Sequence, residues 1–417
     1  VGIVVKKFGG TSVGSIERIK NVAKLIKEYL DSNPNDKVAV VVSAMAGETN
    51  RLISLAKECV PNPDARELDV LLATGEQASI ALLSMALLEI GIKAESFTSS
   101  QAQIHTDDKF NNAKISGIES VRLKNRIADG VIPVVAGFQG IDDQGNITTL
   151  GRGGSDITAV ALAVALEAKA CFIYTDVEGV FTTDPRICSK AKPLAKISHE
   201  EMLEMASLGA KVLHPRSVYF AMRYEMPLVV LSTFNPKNGN QIRGTWIVKE
   251  EDLMEKAIVT GITHRVDETK LTVQGLPADS SAINSLFSEL SEKGVFIDMI
   301  TQTGLVDEKT NVSFTVPNEA FNSAKIVSED IAKKYSAKLL IEEDIAKVSI
   351  IGIGMKYHTG VASRMFAALA KENISIQMIG TSEIKLSVVV PRKYCEVAVR
   401  ALHASFIEDE PSISIEQ

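Results

Sequence analysis

Val5-Lys6-Lys7-Phe8-Gly9-Gly10-Thr11-Ser12-Val13, running into a helical pattern over residues 16–30, decides the fold of the first half of the chain. A β-rich run, a pair of glycines and an amphipathic stretch make the opening of a β-α unit. The unit recurs. Residues 3–7, 38–43, 93–97, 131–136, 171–176 and 228–232 read as strands, and residues 16–30, 67–90, 155–168 and 199–207 as helices. Strands alternating with helices predict an α/β fold with a mainly parallel sheet covered by helices on both faces. Ligands of such sheets bind beyond the carboxyl ends of the strands. Gly9-Gly10, Ser43-Ala44-Met45-Ala46-Gly47 and Gly137 each follow a strand end, so the loops that carry chemistry are expected along one edge.

After Trp246 the pattern changes, and the charged residues 249–256 read as a connector. Beyond them lies an internal repeat. Lys270-Leu271-Thr272-Val273-Gln274-Gly275 resembles Lys347-Val348-Ser349-Ile350-Ile351-Gly352, 77 positions on. Leu286-Phe287-Ser288-Glu289-Leu290 matches Met365-Phe366-Ala367-Ala368-Leu369, and Ile297-Asp298-Met299-Ile300 matches Ile376-Gln377-Met378-Ile379. Residues 312–317 match 386–391. Each copy reads strand, helix, strand, strand, helix. The expected domains are therefore 1–250, then two small α+β units at 263–340 and 345–417. Ile413-Ser414-Ile415 is a candidate strand returning to complete the first of them.

Composition bounds the rest. The chain has 417 residues, 45% apolar and 23% charged, which is ordinary globular usage. A net charge of -7 offers no general attraction to nucleic acid or anionic membrane, so phosphate must be handled by locally placed groups. The β-rich start, Val1-Gly2-Ile3-Val4-Val5, reads as a strand rather than a leader, and no uninterrupted apolar run reaches membrane-span length. Cys59, Cys171, Cys188 and Cys395 are scattered, form no CxxC pair and read as reduced thiols of a cytoplasmic protein. No His/Cys/Asp spacing points to a metal site, and neither a GxSxG elbow nor a Walker loop is present.

Three segments carry candidate chemistry. Lys7 is delivered by a strand to a loop whose glycines let backbone N–H groups approach an anion, and the following helix adds its positive end. A tight strand-to-helix turn explains the same glycines. Leu150-Gly151-Arg152-Gly153-Gly154-Ser155-Asp156 sets a guanidinium and a hydroxyl at a helix start. Ser155 and Asp156 suit capping, whereas Arg152 between glycines suits bidentate binding of a carboxylate. Tyr174-Thr175-Asp176-Val177-Glu178-Gly179-Val180-Phe181-Thr182-Thr183-Asp184-Pro185-Arg186 is a strand end and a polar loop, able to serve a nucleotide or simply to turn the chain. Ser43 and Thr49 bracket a glycine-containing loop. Thr74-Gly75-Glu76 interrupts a helical pattern, and Gly209-Ala210-Lys211-Val212-Leu213-His214-Pro215 offers a further cation.

In this order, Lys-Phe-Gly-Gly-Thr-Ser at 7–12, Val-Ser-Ala at 42–44, Thr-Gly-Glu at 74–76, GRGGSD at 151–156, TDVEGVFTTDPR at 175–186 and GAKVLHP at 209–215 resemble the aspartate kinases of the amino-acid kinase superfamily. The likeness spans the whole chain. The tandem repeat resembles paired ACT domains (βαββαβ-like units), and residues 352–390 resemble the monofunctional, lysine- and threonine-regulated type. The resemblance implies transfer of the γ-phosphoryl group of ATP, with Mg2+, to the β-carboxylate of L-aspartate. It implies that Lys7 and Asp156 are catalytic, and that Ser43, Thr49, Glu76, Arg152 and Ser155 hold aspartate. It places Lys7, Phe8, Gly9, Gly10, Thr175, Asp176, Phe181, Arg186 and Lys211 around ATP, with the metal held chiefly by phosphates. It puts effectors, with L-lysine and L-threonine the candidates, near Phe296, Ile297, Asp298, Gln302, Val361, Ala362, Ser375, Ile376, Ser382 and Glu383. A homodimer or larger homo-oligomer is also implied.

The chain departs from the family in places. Phe181 stands where a Tyr is frequent. Ala278-Asp279-Ser280-Ser281 replaces an Asp-x-Pro-Gly turn, and His358-Thr359-Gly360 stands where a Pro-Gly turn is common. The alternatives are a kinase acting on glutamate or acetylglutamate, and a noncatalytic amino-acid sensor with a degenerate kinase half. The tandem repeat argues against the first, and Lys7, Arg152, Asp156 and Lys211 argue against the second. No second large α/β unit follows the repeats, which excludes fusion to homoserine dehydrogenase within this chain.

Overall fold

The computed structural model describes residues 2–210, 212–235, 237–238, 241–242, 244–253, 257–277, 279–304 and 309–408. They form two compact units. One holds the described residues of 1–180, 193–207 and 211–254, and the other those of 181–192, 208–210 and 255–417.

The first unit is built on an eight-stranded sheet. Its spatial order is β10 (Lys196–Ser198), β14 (Gly244–Val248), β11 (Leu228–Ser232), β9 (Ala170–Thr175), β1 (Gly2–Phe8), β2 (Asp36–Val42), β6 (Ile132–Ala136) and β3 (Ala94–Phe97). Every neighbouring pair is parallel except β11 with β14. β1 lies between β2 and β9, with Lys7 opposite Val41 on one side and Ile173 on the other. A second small sheet runs β5 (Ile115–Ile118), β4 (Ile104–Thr106), β7 (Gln139–Ile141), β8 (Ile147–Thr149), and β12 (Lys237–Asn238) pairs with β13 (Gln241–Ile242).

The helices seal this sheet for reasons visible in their residues. α1 (Ile16–Ser32) is capped by Ser15, which accepts from the Arg18 N–H, and buries Ile19, Val22, Ala23 and Ile26. Ile19, Val22 and Ile26 each contribute on the order of 1.5–3 kcal/mol when fully buried. They meet Val4, Phe8, Val38, Val40 and Val42 of the two central strands. α2 spans Glu48–Cys59. α3 (Ala65–Glu89), capped by Asp64, is unbroken through Thr74-Gly75-Glu76. That helix is long and apolar enough to cross a membrane by length and composition alone. Here it buries Asp69, Glu76, Ser79 and Ser84 in the unit's interior. α4 (Val121–Ala128), α5 (Gly154–Ala165), α6 (His199–Ser207) and α7 (Pro215–Arg223) complete the unit.

Strand alternation separates two adjacent lysines. Lys6 is fully buried, with its Nζ 3.5 Å from the Tyr29 ring centroid, 4.5 Å from that of Phe172, and donating to Tyr174 Oη at 2.9 Å. Lys7 faces the other way.

The second unit contains the repeat, but its sheets do not follow sequence order. β16 (Glu268–Pro277), α8 (Ser280–Glu292), β17 (Ile300–Gln302), β18 (Lys309–Pro317), α9 (Phe321–Lys334) and β19 (Lys338–Glu342) form the first copy, with strand order β17-β18-β16-β19. β20 (Ile345–Ile351), α10 (Val361–Lys371), β21 (Met378–Thr381), β22 (Lys385–Pro391) and α11 (Cys395–His403) form the second. Its sheet runs β21-β22-β20-β15, and β15 is Gly261–Arg265, which precedes the first copy. The expected boundary at 263 is therefore corrected: residues 261–265 pair antiparallel with 347–351 and belong with the second copy. The candidate strand at 413–415 lies outside the described residues. Met299, Ile345, Met378 and Val389 form a small apolar cluster between the copies.

Candidate functional site

The carboxyl ends of β1, β2, β6 and β9 meet where the first unit's glycines are. Gly9 N–H donates to the Tyr174 carbonyl at 3.3 Å, Ser43 N–H to the Phe8 carbonyl at 3.1 Å, and Gly137 N–H to the Val42 carbonyl at 3.0 Å. Two glycines are required by close approach. A Cβ on Gly10 would lie 2.9 Å from the Ala44 carbonyl oxygen, and one on Gly137 would lie 2.8 Å from Ser155 Cβ. The loops after β1, β2 and β6 and the start of α5 are thus drawn into one group.

Lys7 Nζ reaches Asp156 Oδ1 at 2.6 Å, and both side chains are only slightly exposed. Asp156 is in the first turn of α5, so the pair joins the central strand to the helix that follows GRGGSD. Glu76 is 3% exposed. One oxygen accepts from the Ala44 N–H at 2.9 Å, and Oε2 has no hydrogen-bond partner among the described residues. Burial raises the Glu76 carboxyl to about 7, against the opposing pull of the Ala44 N–H. Such an oxygen is suited to an incoming cation.

Ser43 and Thr49 are half-buried, and Ser155 is buried at the start of α5. Arg152 is exposed and makes no ion pair among the described residues. Its turn is tightly specified. Gly153 has φ +71°, and a Cβ there would lie 2.3 Å from His214 Cβ. His214 caps α7, its Nδ1 accepting from the Arg216 N–H. Thr175 ends β9, and its hydroxyl donates to Asp176 Oδ1 at 3.1 Å.

Some expected residues are placed differently. Phe8 is fully buried and stacks on Tyr174 at 4.4 Å, so its side chain belongs to the core and only its backbone faces the loop. Phe181 and Arg186 belong to the other unit. The Arg186 guanidinium is held by Asp184, Nε to Oδ1 at 3.0 Å and Nη2 to Oδ2 at 2.7 Å. Lys211 lies outside the described residues.

Two positioning residues escaped the sequence reading. Asp69 of α3 is buried and accepts from Thr149 N–H at 2.7 Å, Thr149 Oγ1 at 2.6 Å and Asn111 N–H at 2.9 Å. Burial raises its carboxyl pKa. Arg216 donates to the carbonyls of Leu150 at 2.6 Å and Ala113 at 2.9 Å. Together they fix the approach to Gly151. No local pattern marks either, because every partner but Leu150 and Thr149 is remote from the turn in sequence.

In the second unit, Asp298 is ion-paired with Lys347, which also reaches Glu268 Oε1 at 3.0 Å. Lys347 is almost wholly buried, and burial lowers its pKa. Phe296, Gln302, Ala362, Ser375, Ser382 and Glu383 are exposed, and Ile297, Val361 and Ile376 are half-buried. A Cβ on Gly380 would lie 2.8 Å from Met299 Cε, so the segments around β17 and β21 are adjacent.

The family model described as the amino acid kinase family matches residues 2–232, and one described as an ACT domain matches residues 348–406. An aspartate kinase of Stutzerimonas stutzeri (strain A1501) is 52% identical over 99% of this chain and 99% of its own. An aspartokinase of Pseudomonas aeruginosa is 51% identical over 99% of both. The crystal structure of E. coli aspartokinase III with aspartate and ADP, in the R-state, aligns with a TM-score of 0.79 at 28% identity, covering 97% of this chain and 99% of that one. The same enzyme with lysine and aspartate, in the T-state, aligns with a TM-score of 0.75 over the same shares.

Proposed function

We infer the division of labour in the site from one premise: this chain belongs to the amino acid kinase family, and within it to the aspartate kinases. As such it phosphorylates the β-carboxylate of L-aspartate at the expense of ATP, giving 4-phospho-L-aspartate for the synthesis of lysine, threonine and methionine.

Both reactants are anions, and the β-carboxylate is already ionised at neutral pH, so no general base is required. Catalysis rests on positioning and on charge stabilisation. Lys7, held by Asp156 at 2.6 Å, stabilises the transferring phosphoryl group, and the Gly9-Gly10 turn, whose Gly9 N–H is tied to the Tyr174 carbonyl, presents the Gly10 N–H to it. The free oxygen of Glu76 receives the aspartate ammonium. Arg152 takes the α-carboxylate bidentately, with Ser43, Thr49 and Ser155 as hydroxyl partners. Orientation of this kind is worth roughly 7–11 kcal/mol of barrier in favourable cases. Thr175, Asp176 and Lys211 serve the nucleotide. Of the carboxylates described at the site, Asp156 is engaged by Lys7, Asp69 by Thr149 and Asn111, and one oxygen of Glu76 by Ala44. That donor set fits Mg2+ carried on phosphates rather than a protein cage. Bound there with ATP, it neutralises phosphate charge.

The Lys7–Asp156 pair at the mouth of the glycine loop carries this assignment. The domains are the kinase at 1–250, a first ACT copy that begins at β16 (Glu268–Pro277) and runs to 340, and a second at 345–417 whose sheet also takes residues 261–265. L-Lysine and L-threonine act as feedback inhibitors through the segments around β17 and β21. The protein is cytoplasmic and works as a homodimer or larger. Phe296 (70% exposed) and Ile300 (54%) support a partner surface at the first copy. Hydroxamate trapping of the acyl phosphate tests the whole reading. Aspartate yields product and glutamate does not, and lysine or threonine, singly or jointly, suppresses it. Equal turnover of glutamate would overturn the substrate, and insensitivity to both effectors the regulation.

A further inference from the structure

Away from the kinase site, we propose that Cys188, His403 and Glu408 bind one borderline-soft divalent transition-metal ion, for which Zn2+ is the probe. The Cys188 sulfur, a ring nitrogen of His403 and a carboxylate oxygen of Glu408 all lie within 4.8 Å of one another. Cys188 is 5% exposed and His403 fully buried. All three belong to the second unit, on the 181–192 segment and at the end of the last described helix.

Two features of the backbone and hydrogen bonding organise the cluster. His403 Nε2 lies 2.9 Å from Thr182 Oγ1, and that hydroxyl is itself fixed by the Lys192 N–H at 3.0 Å. The ring is thereby oriented with Nδ1 toward Glu408 Oε1, at 3.1 Å. A metal-bound imidazole is typically held in this way through its second nitrogen. The other feature is the turn that follows. Residues Ala404–Glu408 form a π-helical turn, which carries Glu408 round to the side of His403. Bonds from i to i+5 are rare and recur at functional sites. Lys190 pairs with Glu408 Oε2, which keeps the carboxylate ionised and leaves Oε1 to the cluster.

Thiolate, imidazole and carboxylate together suit Zn2+, with a fourth position open to water. Donor atoms on a tetrahedral Zn2+ stand about 3.5 Å apart, so binding needs a contraction of about 1 Å. The thiol proton of Cys188 and the proton between His403 Nδ1 and Glu408 Oε1 leave as the metal enters. No oxidation is involved. The bound ion would tie the segment after Val180 to the C-terminal helix. The sequence conceals the cluster because Cys188 and His403 are more than two hundred residues apart.

Co2+ titration of the chelator-treated full chain is the test. One Co2+ per chain, with a near-ultraviolet sulfur-to-cobalt band displaced by Zn2+, is expected. Cys188→Ala, checked for folding by its melting curve, should lose the band and bind Zn2+ at least tenfold more weakly, and Glu408→Gln should also weaken it. Should the alanine variant fail to fold, Cys188→Ser gives the same readout. Absence of a stoichiometric band, or its persistence in the Cys188 variants through exposed Cys59, would overturn the site.

Discussion

Lys7 and Asp156, 149 residues apart in sequence, meet at 2.6 Å, Nζ to Oδ1, across the join between the central strand and helix α5. The contact sets both the direction of the Lys7 ammonium and the position of the helix start that follows Arg152.

Lys7→Ala should lower kcat by about 100-fold or more, the scale found when one preorganised donor to a developing charge is removed. The aspartate KM should change far less. Arg152→Ala should show the opposite split, a raised aspartate KM with a smaller fall in kcat. Steady-state kinetics over both substrates read the two patterns, and unchanged turnover in Lys7→Ala would remove its role.

Glu76 gives a pH dependence. Its carboxyl sits at about 7 in the free protein, raised by burial, so the group is neutral below that pH and charged above it. The aspartate ammonium needs the charged form. The aspartate KM should therefore rise as pH falls from 8 through 6, and Glu76→Gln should raise KM at pH 8 and flatten the profile. Stability runs the other way. A folded pKa above the unfolded one stabilises the free protein below the unfolded value, and this is lost as pH rises through 7. Aspartate should thus raise the melting temperature more at pH 8 than at pH 6.

Removing the Asp69 carboxylate strands three donors, two from Thr149 and one from Asn111. Each buried, unpaired donor costs about 1–3 kcal/mol. Asp69→Ala should destabilise the first unit by at least about 3 kcal/mol in urea unfolding and raise the aspartate KM. Asp69→Asn, which keeps an acceptor oxygen, should recover much of both.

Lys347→Met leaves buried Glu268 with only the longer Arg265 contact, at 3.4 Å, and releases Asp298. Breaking a buried pair from one side costs about 3–5 kcal/mol. The loss should appear in denaturant unfolding of the second unit, and adding Glu268→Gln should restore part of it. A cost under 1 kcal/mol would show that the pair is solvated in solution.

The α/β sheet was legible because its cues are local. β1, the glycines and α1 lie within 32 residues, and the limits of the six expected strands differ from the observed ones by at most two residues. The Lys7–Asp156 contact joins two segments that the sequence singles out, because each motif spans a single turn. The burial of the Phe8 side chain was not legible because a central strand is buried on both faces, so apolar content does not reveal which side chain lies in the core. Asp69 and Arg216 were missed because their roles depend on loops brought together only by the fold. The exchange of β15 was illegible for a related reason. β15 and β19 are both five residues long, and only tertiary packing decides which sheet takes each.

That exchange bears on how the polypeptide is made. β15 leaves the ribosome some eighty residues before its neighbour β20, and the entire first copy must emerge between them. During synthesis the early strand is a sticky, unpaired ribbon, exposed to the wrong partner for as long as translation of that stretch takes. The first copy is in effect a long insert within a hairpin, so trimming the chain from its carboxyl end would unmake the second sheet and strand residues 261–265, while the first sheet would keep all four of its ribbons.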